Sequence, residues 1–572
     1  MQFASTRHAM TWLHTWLGLL FGFVLMVCFF FGALSVFDRE IDRWALPDTR
    51  FEPQPMPSYD QILLPAFERL RVSEAMYQQM MPILHDPAAG PMTPREALPA
   101  DELWAYTTHR DPVLRIGAGF AVPHPKDPDA HNHIHADTTI DPRSGVEVPL
   151  SQLKLGSDWF YPLHYSLNLE WNSIGYYVVG LAAFFMLVAL VSGVWMHRKI
   201  FREFFTWRPW KSTLRSILDV HNLTGVVALP FHFFFALTGL IIFAAWFYMP
   251  VGETLLKPLH EQDEAHQASL NGLPHERAGI AAPMASVDAM MAEAKRIWAE
   301  RDMAGEVGYM EIHHLGDANA YVSLYRAGSD RVALVGEAIH FRGSDGSVLF
   351  AEPPQAGAEA INEFLTGLHL QHFEHWPLRW LYLFGGLLGC ACIATGFLFF
   401  IEKRKPQHAR QGLSGARLVE AIAISCVSGM VVATLAMMVA NRLLPDSPAR
   451  GDWQKWIFCL SWLLTLLHGF ARSQSHTSTR ASAAWYEQVW LISALALLAL
   501  FANAVTTGDH LLKTLWLEPY MAVAGVDLVL LATALGSAVV ARYLQCRHRA
   551  ASSSHVTTGL PLSVPLDTGG VL

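Results

Sequence analysis

The stretch HTWLGLLFGFVLMVCFFFGAL, residues 14–34, has a second copy in HNLTGVVALPFHFFFALTGL, residues 221–240. Each opens on a histidine, His14 or His221. A glycine follows four residues later, Gly18 or Gly225, and another eighteen residues later, Gly32 or Gly239. The constant offset marks an internal repeat. A histidine repeated inside apolar spans is costly and points to a functional site. Paired axial ligands for haem in a bilayer, and electron transfer across it, are the reading that fits.

The rest of the chain bears out a membrane setting. Of 572 residues, 52% are hydrophobic and 16% charged, which is the balance of a polytopic membrane protein. Runs long enough to cross a bilayer lie near 12–36, 175–196, 222–247, 380–400, 418–440, 456–470, 485–505 and 521–541, the sixth being short. The fold class expected is therefore membrane α-helical with about eight transmembrane helices. The net charge of −9 is small for this length and argues against nucleic-acid binding. Basic residues cluster between the second and third spans (Arg198, Lys199, Arg202, Arg208, Lys211, Arg215), after the fourth (EKRKPQHAR) and after the eighth (Arg542, Arg547, Arg549). The positive-inside rule makes these segments and the N-terminus cytoplasmic, and the two long loops external. None of the six cysteines lies in those loops, so no disulfide framework is encoded.

The first four spans form two copies of span, external loop, span. Spans are expected in 1–37, 159–200, 218–248 and 366–404, with external domains in 38–158 and 249–365 and a cytoplasmic loop at 201–217. The returning spans also match: His164 precedes Ser192-Gly193, and His369 precedes Thr395-Gly396. Each loop has a helical stretch, near 58–80 and 285–301, and a hairpin-like segment, TTIDPRSGVEV (138–148) and AIHFRGSDGSVL (338–349). Loop two adds the strand-like YMEIHHL and AYVSLY. The economical reading is two small α+β domains. A polar linker is expected at 405–417, four further helices in 418–546, and a disordered Ser/Thr/Gly-rich tail at 547–572.

His-x-x-x-Gly opening a span, Ser/Thr-Gly near the far end and a DPxSG-type hairpin in the loop resemble the PepSY-associated transmembrane family. That family includes iron-regulated inner-membrane proteins and siderophore or ferric reductases. The resemblance covers about residues 1–405. It implies a four-span core with two b-type haems and two PepSY-like periplasmic domains. It also implies electrons moving outward to reduce ferric chelates such as siderophore-bound iron. The last four spans fall outside it.

A parallel repeat has a pseudo-two-fold axis along the membrane normal. His14 and His221 then belong together near the cytoplasmic face, and His164 and His369 near the periplasmic face. Two histidines fill both axial positions of an iron and leave an electron carrier. The competing reading of each is an interfacial histidine bonded to a carbonyl or headgroup. His232 follows His221 by eleven residues, about 16 Å along the same helix face. It is a ligand or relay, or else it bonds a buried hydroxyl or a haem propionate. His197, beside Arg198 and Lys199, suits a headgroup or propionate better than an iron. His372, Glu374 and His375 could hold a ferric substrate or form an exposed polar turn. His131, His133 and His135 alternate, so a strand puts them on one face, where they are a solvated face or, with Asp127 and Asp137, a metal site. Glu311, His313 and His314 carry the same two readings. Trp12, Trp16, Trp159, Trp195, Trp376 and Trp380 read mostly as interfacial anchors.

No Walker loop, dinucleotide fingerprint or Ser-His-Asp signature is visible, so the electron donor is a separate cytosolic flavoprotein or quinol. Two other classes remain in view. One is a membrane-anchored binding or regulatory module whose loops hold a peptide, protease or siderophore. The other is a siderophore-linked transporter, weakened by the scarcity of Asp and Glu in the spans.

Overall fold

The computed structural model describes residues 5–557 apart from 108–110, 123–132, 149–152, 198–205, 207, 209–211, 247–271, 275, 328–331, 333–336, 355, 372, 374, 412–414 and 474–481. The chain divides into two compact units. One comprises Met1–Leu17, Cys28–His197 and Ala228–Leu387; the other comprises Gly18–Val27, Arg198–Val227 and Leu388–Leu572.

Six helices are long and apolar enough to cross a membrane: Thr6–Ser35, Trp171–Met196, Trp376–Arg404, Arg417–Leu443, Ala484–Thr507 and Met521–Ala550. A bent pair, Thr213–Val227 and Leu229–Phe243, makes a seventh if it counts as one span. Among the described residues this gives six or seven candidate spans against the eight expected. The missing one is Arg450–Arg472, a 23-residue helix whose first turns carry Arg450, Asp452 and Lys455. The third span is not straight either; it bends by 61°. Pro230 sits just past the break, where it lacks the N–H that would bond the preceding turn.

The linker and tail also differ from expectation. The fourth span's helix runs on to Gln411, because Glu, Lys, Arg and Gln are polar but good helix formers. The last helix continues to Thr557. His372, Glu374, His131 and Asp127 lie outside the described residues, as do 558–572.

The two loops do not form separate domains. Their strands build one antiparallel sheet of seven in the order β3-β2-β1-β4-β5-β6-β7. Loop one supplies β1 (Ala100–Tyr106), β2 (Leu114–Ala121) and β3 (His133–Ile140). Loop two supplies β4 (Val307–His313), β5 (Tyr321–Arg326), β6 (Ala338–Arg342) and β7 (Val348–Ala351). The seam pairs Leu103 with Ile312 and Ala105 with Met310. Left apart, each half would present an unpaired strand edge to water; joining them removes both.

One face of the sheet carries the core. Leu103, Ile116 and Phe120 from loop one meet Met310, Ile312, Leu324 and Phe341 from loop two. Tyr77 and Met81 of Glu74–Leu84, with Met290, Met291 and Trp298 of Val287–Glu300, cover them. The two expected turns are present. Gly145 N–H bonds Asp141 O at 2.8 Å and Gly346 N–H bonds Arg342 O at 2.9 Å, both glycines at positive φ.

In the second unit, polar side chains join the C-terminal helices. Ser428 Oγ donates to Gln488 Oε1 at 2.7 Å, and Ser493 Oγ donates to Ala534 O at 2.8 Å. Such bonds hold helices together where lipid supplies no hydrophobic drive.

Candidate functional site

Each of the four repeat histidines is anchored in the same way. His14 Nδ1 lies 2.8 Å from Ala189 O, His164 Nδ1 2.8 Å from Cys28 O, and His221 Nδ1 2.8 Å from Cys392 O. His369 Nδ1 lies 2.7 Å from Thr238 Oγ1. A carbonyl only accepts, so Nδ1 carries the proton in the first three. Thr238 gives its own hydroxyl proton to Phe234 O at 2.8 Å, so it accepts from His369 as well. In each ring Nδ1 is the nitrogen held at the anchor, and Nε2 is the one turned away from it. This is the arrangement by which proteins orient histidine toward a metal.

The glycines explain how the rings reach their acceptors. A Cβ on Gly193 would lie 3.2 Å from His14 Cε1, on Gly32 2.6 Å from His164 Nδ1, on Gly396 3.3 Å from His221 Cε1, and on Gly239 3.1 Å from His369 Cε1. In three cases the accepting carbonyl lies four residues before the glycine: Cys28 and Gly32, Ala189 and Gly193, Cys392 and Gly396. A helical carbonyl has a second lone pair that the side chain at i+4 normally covers. Glycine uncovers it.

Local structure sets the His164–His369 pair. His164 sits on a short helix, Tyr161–Tyr165, ahead of the second span. Phe160 packs its ring 5.5 Å from Phe31, and Asp42 accepts from Gly156 N–H and Ser157 Oγ. His369 ends the helix Gly357–Leu370, which closes on Gln371 in the left-handed conformation. Tyr382 Oη ties that helix to the fourth span through Leu368 O at 2.9 Å. Buried Arg379, near the start of the fourth span, bonds Glu40 and Val36 O just past the end of the first, at 2.8 Å.

The structure brings His164 and His369 together, with ring centroids 6.0 Å apart and planes 31° from parallel. Two imidazoles bonded to one metal at about 2 Å each have ring centres about 6 Å apart. The centroid spacing of the pair matches that of two imidazoles sharing one iron. His14 and His221 are each anchored within their own copy.

The other singled-out residues have different surroundings. His232 is buried, with Nε2 3.3 Å from Gly385 O and its ring 5.1 Å from Phe29. That carbonyl takes one of its two ring nitrogens. His197 caps the second span's helix with its backbone. His375 Nδ1 accepts from Leu378 N–H at 3.4 Å, as a helix cap does. Trp12, Trp16, Trp195, Trp376 and Trp380 are exposed on their helices, as anchors are.

On the sheet face opposite the core, Glu102 and Trp104 of β1 neighbour Glu311 and His313 of β4. His313 Nδ1 lies 3.6 Å from Glu102 and Nε2 3.5 Å from Glu311. Burial alone would lower His313, but the two carboxylates lift it to about 9, so it is a cation at neutral pH. Asp137 is taken by Arg115 at 2.8 Å and does not join the β3 histidines.

Sequence reading found the four rings but not their acceptors. A backbone carbonyl has no letter of its own; the glycine four residues later was its only trace. Thr238 was readable in principle as the Thr of a third Ser/Thr-Gly pair.

Together the repeated core and the apolar helices define a multi-pass membrane protein. The chain belongs to the family described as the PepSY-associated TM region, whose model matches residues 11–403. It is also similar to the uncharacterized protein PA4219 of Pseudomonas aeruginosa, with 24% identity over 324 residues covering 53% of this chain and 77% of that protein.

Proposed function

We propose that the protein is a bacterial inner-membrane electron carrier that reduces ferric chelates, such as siderophore-bound iron, on the periplasmic side. Electrons come from a cytoplasmic reductant or quinol. The single observation that supports this most is the His164–His369 pair: two imidazoles, each held at Nδ1, at the spacing of a bis-histidine iron. The repeat gives His14 and His221 the same role for a second b-type haem. Bound haem supplies reversible one-electron chemistry. The chain's own contribution is to fix each ring's tautomer through Cys28, Thr238, Ala189 and Cys392 and to exclude water. Phe235 flanks the His164–His369 pair, with its ring 5.3 Å from His369.

The basic segments around Arg208, Arg215, Lys403 and Arg404 favour a cytoplasmic N-terminus and an outward electron path. An absorption spectrum with pyridine haemochrome analysis tests the cofactor; two b-type haems per chain are expected, and no haem after expression with ample supply rejects the reading. In oriented vesicles, a reductant confined to the cytoplasmic side should reduce a membrane-impermeant ferric chelate on the other. Haem reduction that leaves the chelate ferric would reject the reductase assignment.

A further inference from the structure

Strand β1 carries an irregularity where it meets β2. Ala100 faces Phe120 and Glu102 faces Gly119, so Asp101 is an extra residue. On a regular strand Asp101 and Glu102 would point to opposite faces; a bulge re-aims the extra side chain. Here it gathers both carboxylates with His133 of β3, and one ligand atom from each of Asp101, Glu102 and His133 lies within 4.8 Å of the others. His133 Nε2 is 3.1 Å from Asp101 Oδ2. Two donors bound to one first-row ion at about 2.1 Å stand about 3 Å apart at a right angle.

Strand β2 runs between these residues, and it crosses the cluster with a glycine. A Cβ on Gly119 would lie 3.1 Å from Glu102 Oε2 and 3.5 Å from His135 Cε1. The remaining carboxylate oxygens are held from outside: Arg277 bonds Asp101 Oδ1, and His313 stands 3.6 Å from Glu102 Oε1. Asp101 Oδ2 is the oxygen turned to His133, and Glu102 Oε2 the one nearest Gly119. Ligating carboxylates are oriented by such outer partners. The Asp101 and His133 side chains are both more than nine-tenths buried.

We propose that Asp101, Glu102 and His133 form a binding site for a divalent first-row transition cation. One imidazole with two carboxylates suits zinc, ferrous iron or manganese, whereas a calcium site is built from oxygen alone. The site is separate from the four repeat histidines and stands whether or not the protein carries haem.

The test uses the full-length protein in detergent, without a histidine tag, stripped with chelator and equilibrated by dialysis against Zn²⁺. Elemental analysis should find one zinc per chain. Glu102→Gln, a part-buried position on the face opposite the core, should weaken binding by about tenfold or more. The Asp101→Asn, His133→Gln pair should abolish it, while His135→Gln should keep it. Unchanged far-ultraviolet circular dichroism establishes that the variants are folded; if the double variant unfolds, the Glu102→Gln result decides alone. Wild type binding no zinc overturns the site. So does zinc bound equally by wild type and Glu102→Gln.

Discussion

A carbonyl in mid-helix already serves one N–H, and its second lone pair is normally shut in by the side chain one turn on. Gly32, Gly193 and Gly396 open that lone pair to His164, His14 and His221. Gly32→Ala should therefore drive a methyl to within 2.6 Å of His164 Nδ1, at a cost of about 1–3 kcal/mol by overpacking. Haem per chain should fall from two toward one, read by pyridine haemochrome. The fourth histidine differs in that its acceptor is a side chain. Thr238→Val removes it while keeping the shape, leaving a buried N–H unpaired at about 1–3 kcal/mol. Affinity at the His164–His369 pair should drop about 10–100-fold, with half the Soret absorbance retained. The rings could be read from the sequence because a constant offset of letters survives in it. Their partners could not, since three of the four are main chain.

Strands and helices were legible where their pattern is local. The hairpin at Arg342–Gly346 and the helix Val287–Glu300 follow from turn residues and apolar spacing close at hand. The β1–β4 seam has no such signature, because Leu103 and Ile312 are brought together from different loops. The turn after β4 shows what secures the sheet on that side. Burial alone would raise the Asp317 carboxyl, but the amides of Asn319, Ala278 and Gly279, together with Arg277, outweigh it and hold it below the usual range. A carboxyl lowered in the folded state adds stability that is fully present above its unfolded value and lost as pH falls through the folded one. The sheet should thus melt at progressively lower temperature below about pH 4. Asp317→Asn should flatten that slope, checked by thermal unfolding between pH 3 and pH 7.

At the scale of the whole molecule, all four histidines and their acceptors lie before residue 396. A chain ended after Gln411 should keep its full haem-to-protein ratio, measured on protein that still inserts. A lower melting temperature is expected, because Phe23 of the first span loses the Trp462 ring stacked 5.6 Å away. The shared sheet also carries a parity argument. Strands that hydrogen-bond across β1 and β4 lie on the same side of the bilayer, so the chain between β3 and β4 must cross an even number of times. Trp171–Met196 accounts for one crossing. Among the described residues, the bent pair around Pro230 is the segment that can supply the other. A chain that threaded this segment wrongly would strand the two halves of the sheet on opposite sides, each with an open edge. Completing the seam is thereby a check on insertion itself, passed only by a correctly threaded molecule.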